Sequence, residues 1–230
     1  MPRIYKLSKT GLKLLYKIRH HRGHGIHSPF VFNLITKVIE EKTPYHAYED
    51  VKQIINNESD RKQQTKLDKI NLLCFRLINY FEAIHILEIG SGYGINTLCL
   101  TAPSTNIECI CVEESQKKSE KAKLIYKGWD RNIRLYTQKE LPILNNKQDC
   151  IYIDLNHFND FGSDITQYLS IHLTEKSFII VKGIRTNKRC QTLWRSIMNM
   201  ESRTAALDLF NLGIVFFDSK LYRWSYQISF

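Results

Sequence analysis

Apolar positions recur at helical spacing through the first third of the chain and then give way to short β-rich runs separated by helical stretches. Leu7, Leu14, Leu15 and Ile18 fall on one helical face among lysines and arginines, which predicts a short basic amphipathic helix. The run His20-His21-Arg22-Gly23-His24-Gly25-Ile26-His27 ends it with two glycines. Ser28-Pro29 reads as a cap followed by a first-turn proline, and Val31, Phe32, Ile35, Val38 and Ile39 continue a second helix. A third is expected to begin near Tyr48 and a fourth to cover about 66–81, with Ile70, Leu73, Leu77 and Tyr80 inward.

From Ile84 onward the pattern predicts strands at about 84–89, 107–112, 132–136, 149–154 and 178–182, with helices near 94–102, 115–127, 162–174 and 188–199. Strands alternating with helices of this length imply right-handed crossovers and a mostly parallel sheet covered on both faces. Beyond Arg203 the apolar runs leave no room for helices, so the end of the chain is expected to add an antiparallel hairpin or meander to one edge. The expected architecture is α/β, a Rossmann-like doubly wound sheet of about seven strands with an antiparallel C-terminal edge. Residues 1–82 form a basic arm and helical cap, and 83–230 the ligand-binding domain.

At 230 residues the chain is long enough to bury a core without a metal or disulfide. Its six cysteines are scattered and form no CxxC pair, which favours buried thiols in a reducing, cytoplasmic setting. No apolar run approaches the roughly 18 residues of a membrane span, and no signal-peptide core precedes a cleavage site. The net charge of +10 is unevenly placed: residues 1–37 hold eight basic residues and no acid, leaving 25 basic against 23 acidic, or +2, for the remainder.

Chemistry concentrates at the ends of the expected strands. Glu88-Ile89-Gly90-Ser91-Gly92-Tyr93-Gly94 carries a strand into a glycine-rich turn and then a helix, the arrangement that lets a nucleotide-like ligand approach the backbone. The spacing is GxGxG, not GxGxxG, and Glu88 stands two residues ahead of the first glycine. A carboxylate there opposes a pyrophosphate, which needs the positive helix end for itself, and suits a cofactor with an ammonium and no phosphates. S-adenosylmethionine meets that description.

Two further acids close expected strands. Glu113, directly after Cys111-Val112 and roughly 20 residues beyond the glycines, is placed to accept both hydrogen bonds of a ribose diol, with Glu114 better read as an exposed cap. Asp154 ends the fourth strand, where open α/β sheets carry reacting groups. His157, three residues on, has an unperturbed pKa suited to proton removal at neutral pH.

The order of EIGSGYG, CVEE, DCIYIDLNH and DLFNLGIVFF resembles class I S-adenosylmethionine-dependent methyltransferases, nearest in pattern to small O-methyltransferases of the catechol and caffeoyl-CoA type, over about residues 84–218. The resemblance implies that Glu88 and Gly90, Ser91, Gly92, Tyr93 and Gly94 hold the methionine end of the cofactor and Glu113 the ribose. It places Thr137 or Gln138 near the adenine, Asp154 beside the cofactor, and a helical N-terminal segment over the substrate. Metal-dependent members ligate magnesium or calcium with the acid ending the fourth strand and an Asp-Asn pair ending the fifth. The pair's positions here read Lys182-Gly183, and a protonated lysine cannot ligate a hard cation, so no catalytic metal is expected. Lys182 would instead set an ammonium about one strand spacing, roughly 5 Å, from Asp154.

The expected activity is methyl transfer by Asp154, His157 and Lys182 to a small hydroxylated or anionic molecule, with His24 or His27 of the glycine-hinged loop facing the acceptor. An RNA acceptor held by the basic N-terminal arm is the first alternative. A non-catalytic protein that binds S-adenosylmethionine is the second, and a homodimer is compatible with each.

Overall fold

The computed structural model describes Gly11 and residues 27–58, 67–158 and 165–230. The basic helix expected before residue 20, and His24, lie outside the described residues. Ser28 opens the first described helix, α1 (Pro29–Leu34), its hydroxyl accepting from the Val31 N–H, and a π-helical turn, Ile35–Ile39, continues it. Helices α2 (His46–Glu58) and α3 (Lys69–Phe81) complete the N-terminal layer. Asp68 and Asn71 form a reciprocal capping box at the start of α3, which stops at Glu82 in a left-handed conformation (φ 50°).

The alternating part follows the predicted order closely: β1 (His85–Ile89), α4 (Ile95–Thr101), β2 (Glu108–Glu113), α5 (Gln116–Lys127), β3 (Asn132–Thr137), β4 (Cys150–Asp154), α6 (Ile165–His172), β5 (Phe178–Lys182) and α7 (Lys188–Met198). Three strands end the chain, β6 (Ala205–Asp208), β7 (Leu212–Phe216) and β8 (Trp224–Gln227). They assemble into one eight-stranded sheet of order β3-β2-β1-β4-β5-β7-β6-β8. Strands β1 to β5 pair parallel, and β7 is antiparallel to both β5 and β6.

The C-terminal region keeps the expected hairpin, but it is not a meander. Both edges of β7 are bonded, so the chain after it passes to the outer edge of β6, the edge still open, and β8 runs parallel to β6. The interior strands β1, β4, β5 and β7 are buried almost throughout, whereas the flanking β3 alternates and β8 is largely exposed.

One face of the sheet packs under α1, the π turn and α3, where Val31, Leu34, Ile35, Leu73 and Leu77 share a core with Ile86, Tyr152, Ile180 and Ile214. The opposite face is covered by α6 and α7 through Leu169, Trp194 and Ile197. Of the helices before β1, α1, its π turn and α3 therefore share a core with the sheet, whereas α2 packs with α3 and α4 through Val51, Ile55, Phe75 and Leu98. Within α3, Leu73 and Leu77 are inward as expected, but Tyr80 is 42% exposed, because the helix buries its Leu73-Cys74-Leu77-Ile78 stripe instead. Buried Arg76 ties α3 to the π turn, donating from Nε to the Val38 carbonyl at 2.6 Å.

Candidate active site

The carboxyl ends of β1, β2, β4 and β5 bring the expected groups together. Strands β4 and β5 place Asp154 directly opposite Lys182, and the Lys182 ammonium lies 3.3 Å from Asp154 Oδ2. The other carboxylate oxygen, Oδ1, accepts from the backbone N–H of Asn156 at 2.9 Å and from its side-chain amide at 2.8 Å. Burial works against the charge on Lys182, but the carboxylates of Asp154 and Asp68 outweigh it and hold its pKa above the usual lysine value.

His157 leaves the same turn and brings Nδ1 to 3.6 Å from Asp154 Oδ2, with about a third of its side chain exposed. Its ring lies against the glycine turn: a Cβ on Gly92, whose φ is +61°, would stand 2.6 Å from His157 Nδ1. A Cβ on Gly90 (φ +81°) would meet the Asp154 carbonyl at 2.8 Å. Side chains at these positions would be strained by the left-handed backbone and would push the turn off β4. The close glycine spacing is thus required by the approach of the β1 turn to the β4 turn.

Glu113 is fully buried at the end of β2, while Glu114 is only half-buried. Its Oε2 accepts from the Gly92 N–H at 2.7 Å and its Oε1 from the Ser115 N–H at 2.9 Å, with Lys118 3.8 Å away. The second strand's acid therefore fastens the glycine turn from below. Each oxygen retains further acceptor capacity.

Glu88 lies one residue before the end of β1. It is fully enclosed, and both oxygens are taken from within: Asn96 donates to Oε1 at 2.9 Å, and the Thr97 hydroxyl donates to Oε2. Burial pushes its pKa up against the opposing hydrogen bonds. From behind the turn Glu88 secures the first residues of α4. The carboxylate sits in a buried polar chain absent from the sequence expectations. Asn71 of the α3 capping box donates to Asn96 at 3.1 Å, Asn96 donates to Glu88, and Thr97 meets both Glu88 and the Tyr126 hydroxyl of α5. The Asp-x-x-Asn cap was legible, but its reach to α4 depends on the packing of separate helices.

Cys109 and Cys111 lie beside Glu88, and these three supply the His/Cys/Asp/Glu ligand atoms close enough to share an ion among the described residues. Burial raises the Cys111 thiol well above its ordinary pKa, and it donates to Glu88 at 3.5 Å. A neutral thiol is a hydrogen-bond donor here, not a thiolate ligand.

Other expected positions are less close to these groups. Gln138 spends its amide on the Glu140 carbonyl at 2.7 Å, and Thr137 bonds Ser119. Tyr93 is 42% exposed in the glycine turn, with Lys121 over its ring. His27 is exposed at the start of α1. Three residues on, Phe30 packs on Phe216, which pairs with Phe178, the first residue of β5, whereas Lys182 is the last. Phe30 therefore packs at the end of β5 opposite to Lys182.

Two buried hydroxyls accord with a ligand at the turn. Ser91 Oγ, between the first two glycines, and Tyr152 Oη, two residues before Asp154 on the same sheet face, have no hydrogen-bond partner. Buried polar groups are seldom left so, and the Ser91 hydroxyl in particular fits a polar ligand cradled by the turn.

No protein-family model and no curated protein matches the sequence. Solved structures do. An S-adenosylhomocysteine-bound methyltransferase from Podospora anserina aligns with a TM-score of 0.55 at 12% identity, covering 83% of this chain and 96% of that one. An O-methyltransferase from Bacillus cereus in complex with S-adenosylhomocysteine gives 0.54 at 16% identity, over 81% and 97%. TomG, an O-methyltransferase of tomaymycin synthesis from Streptomyces achromogenes in complex with S-adenosylmethionine, gives 0.50 at 12%, over 81% and 94%. The chain has the Rossmann-like fold of these methyltransferases, over nearly their whole length.

Proposed function

We propose that this protein transfers a methyl group from S-adenosylmethionine to an oxygen of a small hydroxylated or anionic acceptor, without a metal. The observation that carries the reading is the glycine turn, fastened by Glu113 and overlaid by His157, directly beside the Asp154–Lys182 pair. In this reading Gly90 to Gly94 and the unpartnered Ser91 hydroxyl cradle the methionine end, the remaining acceptor capacity of Glu113 takes the ribose hydroxyls, and Gln138 borders the adenine. Bound there, the cofactor supplies a methyl group already activated by its sulfonium, so the chain has only to align the acceptor and manage its proton.

His157 takes that proton. Asp154 faces both the imidazole and the Lys182 ammonium through the one oxygen Oδ2, leaving Lys182 to steady the acceptor oxygen as its negative charge develops. The same pair supports the reading of metal independence. An ammonium already occupies the flank of Asp154, and Gly183 (φ +85°) lies so close to Asn156 that a side chain's Cβ there would stand 2.9 Å from the Asn156 amide. No second carboxylate or amide ligand has room beside Asp154 from this position.

Calorimetric titration with S-adenosylmethionine and S-adenosylhomocysteine tests the cofactor. Binding tighter than about millimolar is expected, a standard free energy beyond about −4 kcal/mol, and absence of binding by both would overturn the assignment. Release of S-adenosylhomocysteine, followed with fractionated metabolites in the presence of excess EDTA, tests the rest. Turnover that collapses with EDTA and returns with magnesium would refute metal independence while leaving the cofactor reading intact.

A further inference from the structure

Helix α5 carries a concentration of charge that the proposed chemistry does not use. Between Gln116 and Lys127 it holds five lysines against one acid, a net +4, twice the net charge of all residues from 38 onward. Ser119 and Ala122 face inward and Tyr126 packs against Gly94, so the outward arc presents Lys117, Lys121, Lys123 and Lys127, all exposed. Among the described residues, none of these four forms an ion pair. The helix's single acid, Glu120, accepts from Gln116 at 2.8 Å, and the ion pair on this helix belongs to Lys118 with buried Glu113.

The arrangement is costly to the isolated chain. Lys117 and Lys121, and Lys123 and Lys127, stand one turn apart as like charges, each pair unfavourable by a few tenths of a kcal/mol. No acid occupies the first turn, where the helix dipole favours one. Glu120, three residues from both Lys117 and Lys123, is the one acid on this arc and leaves it net positive, so an external anion is its complement.

The dimensions say what kind of anion. Lys117 and Lys127 are ten residues apart, about 15 Å along the axis. That length exceeds what a single phosphate group covers and suits successive phosphates of a nucleic-acid strand. Lys121, one turn into this arc, lies 5.6 Å from the ring centre of Tyr93, an exposed aromatic in the glycine turn that presents a face for base stacking.

We infer that the exposed arc of α5, continued by Tyr93, is a docking surface for a single strand of RNA, gripped through its phosphates. This concerns binding alone and stands whether or not the strand is the methyl acceptor. It is also separate from the N-terminal basic arm, which lies outside the described residues.

The test is fluorescence anisotropy of the full chain with a labelled single-stranded RNA of about 12 nucleotides, across about 50 to 200 mM salt. The comparison is with K117Q/K121Q/K123Q/K127Q and with the milder K123Q/K127Q. With about 0.7 counterions released per phosphate contact in a single strand, the slope of log affinity against log salt should flatten by roughly 3 in the quadruple variant and by roughly half that in the double. Unchanged melting temperatures would establish that both variants fold. A slope equal to wild type in a folded quadruple variant would overturn the inference and leave RNA binding to other parts of the chain. Wild-type binding to phosphatidylserine vesicles but not to the RNA would overturn it in favour of a membrane surface.

Discussion

Lys182 and Asp154 face each other across two adjacent parallel strands, the ammonium 3.3 Å from a carboxylate that is almost wholly buried. Replacing Lys182 by Met should leave that carboxylate short of its charged partner, at a cost of roughly 1–3 kcal/mol. The pH dependence has a defined sign. The pKa of Lys182 is raised, so the pair's contribution is complete below the unfolded lysine value of about 10.4 and disappears as pH climbs through the raised value. Thermal unfolding across alkaline pH should therefore show wild type losing its advantage over K182M; a constant difference would contradict the pairing.

Glu88→Gln probes the buried carboxylate behind the glycine turn. Because burial raises its pKa, the folded state holds the Glu88 proton more tightly than the unfolded chain does, and ionised Glu88 costs stability above the raised value. That cost fades as pH falls toward the unfolded value of about 4.3. The stability of wild type relative to E88Q should rise on acidification from about pH 8, read by denaturant titration at each pH. A difference that does not change with pH would show Glu88 to be unperturbed.

Glu113→Ala removes the acceptor of two backbone N–H groups, those of Gly92 and Ser115. Leaving a buried donor unpaired costs about 1–3 kcal/mol, and the glycine turn loses its fastening to β2. Affinity for S-adenosylhomocysteine should drop at least about tenfold, or 1.4 kcal/mol, by calorimetry. Wild-type affinity in a folded E113A protein would remove Glu113 from the binding site.

Gly92→Ala tests the approach of the two turns. A left-handed φ of +61° with a histidine ring 2.6 Å from the new Cβ combines backbone strain with a clash, worth roughly 1–3 kcal/mol. His157→Gly in the same chain should recover part of the lost stability by vacating that space. Failure of the second substitution to recover any would mean that strain alone, and not the His157 contact, requires glycine.

Much of this architecture was legible along the chain because each element is signalled locally. The alternation of β-rich runs and helical stretches placed β1 to β5 within a residue or two, and Ser28-Pro29 marked the start of α1. Asp154 and Lys182 could be paired in advance, since neighbouring parallel strands of similar length bring their ends together. Tyr80, the strand end that α1 meets and β8 were not legible in the same way. Tyr80 sits at a position that helical spacing alone would bury, and whether it faces the core depends on which stripe of α3 meets the sheet. The strand end on which the start of α1 packs depends on the direction in which α1 crosses the sheet. The placement of β8 outside β6 follows from which strand edges remain open after β7 has paired on both sides.

By itself the sequence determined the order of strands and helices, the glycine turn after β1 and the acids that close β1, β2 and β4, because these rest on spacing, turn chemistry and strand length. Only the tertiary structure decided what those groups touch. It set Glu88 behind the turn with Asn96 and Thr97, gave Glu113 the Gly92 N–H, and laid His157 over that glycine. Spacing assigns a residue to the end of a strand, but a hydrogen bond is satisfied by whichever partner packing brings within about 3 Å, and those partners lie 8 to 21 residues away along the chain.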